Sequence, residues 1–185
     1  MSNLDVIDVS QYAKKYGLKW NIATIRKIEP PRIDINQPGL LMHGSEADPY
    51  SILKYGIVPQ QSKDNTIDRD WQVCIGMNSK NPNIMLKREL ARKNSAAKYC
   101  GYFSPTGIIY IIDENVKLLD GYVEFWDQGE DARGYAWVKH PIAPGLIVGL
   151  ITENISLAAA AVLSTETQRP IFKPDGTCFL AEPLK

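Results

Sequence analysis

Apolar and polar positions along this chain fall into short runs, most of them too brief for long amphipathic helices. Over residues 8–16 the apolar positions are Val9, Tyr12, Ala13 and Tyr16. That is the i, i+3, i+4, i+7 spacing of a helix face, and Gly17 stops it. Residues 20–28 fit either strand or helix; Pro30 and Pro31 then break the chain. Residues 39–43 are a short apolar run and read as a buried strand. Asp48 followed by Pro49 has the form of an N-cap with proline at the first helical position, so a helix is expected over 50–55 with Gly56 as its stop. Residues 60–70 are polar and read as loop, 72–76 as strand. Asn81 and Pro82 open a second capped helix to about Lys93, with Met85, Leu86, Leu90 and Ala91 inward. The β-branched run 108–112 around Tyr110 is a strand. A charged loop over 127–134 precedes strands at 135–138 and 146–152, a helix over 155–163 and a hairpin over 170–180. Interleaved strands and helices of this kind indicate an α+β domain.

Length and composition sharpen this. The chain has 185 residues, 44% hydrophobic and 23% charged, enough for one domain with a sizeable core. The polar stretch before Pro38 suggests a short N-terminal helical extension over 1–37 and a main domain over 38–185. Lys+Arg and Asp+Glu both number 21, which argues against a protein built to coat nucleic acid or an anionic membrane. Three cysteines (Cys74, Cys100, Cys178) and two histidines support neither a disulfide framework nor a zinc site, so a reducing compartment and no metal are expected. Residues 1–10 lack a secretory pattern, and the apolar stretch 151–163 is short for a membrane span. The expected location is the cytoplasm, or a target cell reached without a cleavable leader.

The triplet His43-Gly44-Ser45 ends the strand at 39–43 and precedes the capped helix. A histidine beside glycine at a strand end offers a ring nitrogen and an approachable backbone to a ligand. In context, Leu41-Met42-His43-Gly44-Ser45 followed by Ile52 and Tyr55-Gly56-Ile57-Val58-Pro59 resembles the opening of the ADP-ribosyltransferase superfamily. There a strand ends in His-Gly-Thr/Ser in diphtheria-toxin-like and poly-ADP-ribosylating enzymes, and a helix ending in Gly-Leu/Ile-x-Pro comes next. The later order is similar to the cholera- and pertussis-toxin layout: the strand from Trp71 to Gly76, Asn78-Ser79, the strand through Tyr110, a loop containing Glu130 and Arg133, and Ile142-Ala143-Pro144 leading to Ile147. The resemblance covers about residues 40–152.

This resemblance implies a split central β core with flanking helices and a mono-ADP-ribosyltransferase that takes NAD as substrate. ADP-ribose would pass to a macromolecule, a protein ahead of a nucleic acid, with nicotinamide released and neither metal nor membrane required. A toxin or effector role belongs to the same picture. His43 would hydrogen-bond the adenosine-side ribose, and the Gly44 backbone would hold the nicotinamide carboxamide, with Ser45 beside them. Ser79 would stand where the family has its strand-end serines, and Tyr102 would stack on nicotinamide; Trp71 and Tyr110 are the other aromatic candidates, Tyr110 reading as core packing. Glu130 would be the catalytic carboxylate, with Asp131 and Glu124 as alternatives; counting back from Ile142 reaches Tyr135 instead. His43 is expected to line the main cleft, and His140 to lie on the surface.

Rival readings are a catalytically inactive relative that binds NAD or a partner, an RNA 2′-phosphotransferase, which also opens on a His-Gly-Thr-like strand, and a nucleic-acid-binding protein. The last rests on the N-terminal helix, where Ala13, Gly17 and Ile22 have the spacing of a helix-turn-helix and Lys14, Lys15 and Lys19 add charge.

Overall fold

The computed structural model describes residues 4–59, 72–77, 106–126, 134–153 and 156–184. They form a mixed α+β fold in which ten strands make one hydrogen-bonded sheet. In chain order these are β1 (Leu4–Asp8), α1 (Ser10–Tyr16), β2 (Ile22–Ile28), β3 (Leu41–Gly44), α2 (Pro49–Tyr55), β4 (Val73–Met77), β5 (Ile108–Ile112), β6 (Val123–Trp126), β7 (Gly134–Val138), β8 (Ile147–Thr152), α3 (Leu157–Thr167), β9 (Ile171–Phe172) and β10 (Cys178–Pro183). Short 3-10 turns occupy Glu114–Leu118 and Pro144–Leu146. The spatial order is β1-β2-β10-β9-β8-β5-β3-β4-β7-β6. Every pairing among these strands is antiparallel except β8 with β9. That parallel pair is joined through α3, because parallel neighbours need a long crossover.

The strands expected at 39–43, 72–76, 108–112 and 146–152 are β3, β4, β5 and β8, and they lie side by side. At their centre β5 is an unbroken apolar run, each residue 2% exposed or less. Its side chains alternate between two cores. Ile108, Tyr110 and Ile112 enter the larger one with Leu41, Ile75, Met77 and the helices; Ile109 and Ile111 enter a smaller one with Met42, Ile151, Phe172 and Cys178. The described helices α1, α2 and α3 all contribute to the first core, and α3 touches both α1 and α2. Residues 159–165 of α3 are buried all round, so this alanine-rich helix packs deep in the fold and presents no single wet face. The irregular segment 29–40 covers the second core through Ile35 and Leu40. No helix among the described residues is long and apolar enough to cross a membrane.

Two expectations need correction. The N-terminal segment is not simply helical: α1 is flanked by β1 and β2, and β2 pairs with β10 from Ile28↔Cys178 to Ala23↔Pro183, so the sheet runs through the boundary expected at residue 37. The strand β6 has no counterpart among the expected elements. Both β1 and β6 are edge strands, with Val6 63% exposed and Val123, Phe125 and Trp126 also exposed, so neither carries the half-buried alternation that marks a strand in sequence. The loop expected at 60–70 and the helix from Asn81 lie outside the described residues.

Two contacts fix the chain after α2 and after α3. Gly56 closes α2 at φ 88°, its N–H bonded to the Ile52 carbonyl, and Ile57 then exchanges hydrogen bonds with Ile142. After α3, the Arg169 guanidinium donates through Nε to the Ile147 carbonyl at 2.5 Å and through Nη2 to that of Pro144, tying the end of α3 to the start of β8. A Cβ at Gly56, whose ψ of −175° lies outside the αL region, would run into the Ile142 carbonyl oxygen, whereas one at Gly17, in the αL region at φ 69°, meets open space. Gly56→Ala is therefore expected to lower unfolding free energy by at least about 2 kcal/mol, and Gly17→Ala by only about 1 kcal/mol. Urea unfolding of the two variants measures the difference; equal losses would show that the collision with Ile142 is relieved at no cost.

Candidate functional site

The central strand β3 delivers His43. All four of its residues pair with β5, from Leu41↔Ile112 to Gly44↔Ile109. Toward β4 the ladder is shorter: Leu41↔Met77 and Met42↔Gly76 pair, and the register stops there. At the next step the His43 side chain takes over from main chain, and its Nδ1 stands 2.8 Å from the Cys74 carbonyl oxygen. A carbonyl only accepts, so Nδ1 carries the proton and the neutral ring presents Nε2 as an acceptor. Burial lowers the ring's pKa below 6.5, outweighing the opposing pull of the Cys74 carbonyl, and this keeps His43 neutral near pH 7. The ring is half-buried, as are Gly44 and Ser45.

Local capping shapes the turn after β3 and the start of α2. The Ser45 hydroxyl accepts from the Ala47 N–H at 3.0 Å, tightening the turn. The Asp48 carboxylate accepts from the Tyr50 N–H at 2.9 Å, and Pro49 at the first helical position starts α2. This cap is visible in the sequence, but the other partners of Asp48 are not. Lys15 on α1 bonds Asp48 at 2.5 Å, and the Tyr16 ring stacks on Tyr50 with centroids 4.5 Å apart. A separation of 33 residues leaves no local pattern to read. Burial alone would raise the Asp48 pKa, but Lys15, the Tyr16 phenol and the Tyr50 N–H together hold it below 3.8.

The other expected site residues are distributed unevenly. Tyr110 sits directly opposite His43 in the β3–β5 register and is fully buried in the larger core. Glu124 does not join His43. It lies on β6, three strands from β3, or about 14 Å by strand spacing. There its carboxylate accepts from the Tyr122 hydroxyl at 2.7 Å and pairs with Lys117 at 3.2 Å; the Tyr122 bond is the first cause of its lowered pKa. His140 is exposed. Tyr135 pairs with Gly76 and belongs to a ring cluster with Phe125 and Trp137, a feature absent from the sequence pattern because its members come from two strands of an edge hairpin. Glu130, Asp131, Ser79, Tyr102, Trp71 and Asn78 lie outside the described residues.

An open cavity of about 380 Å³ lies among Arg32, Asp34, Ile35, Gln37 and Gly176, away from His43. Ile35 belongs to the smaller core, whereas His43 follows the alternation of Leu41 toward the larger one, where α1 and α2 close over the sheet. No protein-family model, no curated protein and no solved structure matches this chain.

Asp48 fixes the turn after His43, and its removal is measurable. Asp48→Ala is expected to cost about 1 kcal/mol at pH 7 through the lost cap. The folded-state pKa lies below the unfolded one, so this contribution is whole above the ordinary carboxyl range and disappears as pH falls through the folded value. Urea midpoints of wild type and variant should differ at pH 6 and converge by about pH 2; a gap that persists there would assign the loss to something other than the carboxylate.

Proposed function

We propose that this chain is a mono-ADP-ribosyltransferase that moves ADP-ribose from NAD to a macromolecular acceptor, a protein ahead of a nucleic acid, and releases nicotinamide. The observation that carries the reading is His43 at the parting of β3 from β4. The ring is neutral, its tautomer fixed by the Cys74 carbonyl, and its free Nε2 suits a hydroxyl donor such as ribose. The Gly44 backbone beside it has no side chain to block a carboxamide. The strand order supports the same reading, since the four strands that carry the family-like motifs are neighbours in one sheet.

In this reading the bond between nicotinamide and ribose C1′ breaks first, and its electron pair leaves with nicotinamide. The ribose acquires oxocarbenium character, as in glycoside cleavage, and a nucleophile of the acceptor attacks C1′ and loses its proton. Glu130 is the proposed carboxylate that stabilises the developing charge. Glu130 lies outside the described residues, and the residues that flank 127–133, Trp126 and Gly134, are paired with each other. Gly134 pairs with Met77 and Met77 with Leu41, two residues before His43. That row is about 7 Å along β3 from His43 and two strands across.

A second reading, an inactive relative that binds NAD, draws on Tyr135. Spacing from Ile142 puts the family's carboxylate there, and Tyr135 is instead engaged with Phe125 and Trp137. One assay separates the two. Incubated with NAD, the wild-type protein should release nicotinamide; Glu130→Gln should release it about a hundredfold more slowly with NAD affinity little changed, because a charge acting on the transition state affects turnover before binding. His43→Ala should weaken NAD binding by about 1–3 kcal/mol. NAD binding without any nicotinamide release selects the inactive relative, and absence of both by calorimetry and product analysis removes the assignment.

A further inference from the structure

Tyr110 lies at the middle of β5 with none of its surface exposed, and its phenolic oxygen has no hydrogen-bond partner among the described residues. Buried hydroxyls are ordinarily paired, and an unpaired one destabilises a fold, so its retention calls for a partner that comes and goes or for a functional use. In the β3–β5 register Tyr110 is directly opposite His43, and both side chains project to the face that α1 and α2 cover. Burial, then the nearby Tyr16 phenol and Asp48 carboxylate, raise the Tyr110 pKa and keep the hydroxyl protonated. It is therefore a hydrogen-bond donor at neutral pH. His43 beside it supplies an acceptor. A donor and an acceptor on adjacent strands complement the paired hydroxyls of a ribose.

Among the described residues the polar contacts between α1 and the start of α2 are the Lys15–Asp48 ion pair and the Tyr16 phenol on the Asp48 carboxylate, beside the stack of Tyr16 on Tyr50, and the ion pair is solvent-accessible, with its side chains 55% and 35% exposed. Such a pair contributes little to stability and parts readily.

We infer that Tyr110 is a ligand-binding residue, its hydroxyl donating to a ribose hydroxyl of the nucleotide that His43 holds once the joint between Lys15 and Asp48 has opened. This rests on the NAD reading above. The same hydroxyl chemistry has a second source, a permanently enclosed water, and Tyr110→Phe distinguishes them because it removes the oxygen and little else. With a phenol that waits for ligand, the free variant melts about 2–4 °C higher than wild type, since an unpaired buried group is gone, and its NAD affinity by calorimetry falls about tenfold. A variant that melts lower than wild type indicates a structural water and overturns the inference. So does a variant that binds NAD as tightly as wild type does, while leaving the NAD reading intact. If wild type itself binds no NAD, the NAD reading fails and this inference with it.

Discussion

Burial of β5 on both faces is the constraint on which the rest of the arrangement depends. Five consecutive apolar residues, Ile108 to Ile112, cannot be hidden by covering one side of a sheet, because successive side chains point in opposite directions. Both faces must be closed. The helices α1, α2 and α3 close one, and the irregular segment 29–40 closes the other through Ile35 and Leu40. The strand must also be flanked along its length, and β3 and β8 fill those places. His43 thus stands at the middle of the sheet because β3 is one of the two partners that β5 requires. Its half-burial and lowered pKa are consequences of that position.

How much of this was legible in the sequence depended on whether the information was local. The apolar run of β5, the cap at Asp48-Pro49 and the stop at Gly56 are local, and the elements they indicate are present. The hairpin expected over 170–180 is likewise there as β9 and β10. Edge strands β1 and β6 were not legible, because their stability comes from pairing with β2 and β7 and their outer side chains stay wet. At the site, His43-Gly44-Ser45 could be picked out as a strand end. Its setting could not: the Cys74 carbonyl that fixes the tautomer is 31 residues from His43, and the Lys15 that meets Asp48 is 33 residues from it. The cavity near Arg32 was equally hidden, since it joins segment 29–40 to the turn at Gly176.

The parting of β3 from β4 has a physical cause within the ladder. An antiparallel pair stays zipped as long as main-chain groups face each other, and at His43 a side chain occupies the Cys74 carbonyl in their place. Beyond that point β4 remains held by β7 over its whole length, and β3 remains held by β5. Each strand keeps one full neighbour, so the sheet tolerates the opening without losing its core. The ring substitutes for a ladder bond, anchored through Nδ1, which leaves the opposite nitrogen as the acceptor.

Polar groups on the helix-covered face are gathered at the same place, and their distribution is uneven in an informative way. Asp48 is satisfied three times over, by Lys15, Tyr16 and the Tyr50 N–H, while Tyr110, close enough for Asp48 to influence its titration, has no partner for its hydroxyl among the described residues. Had the fold been selected for stability alone, phenylalanine at this position would fill the same space and avoid the unpaired oxygen. An anchored neutral histidine and an unpaired phenol thus stand directly across the ladder from each other, on the face that α1 and α2 cover, and the ligand-binding role that we propose for Tyr110 would account for both.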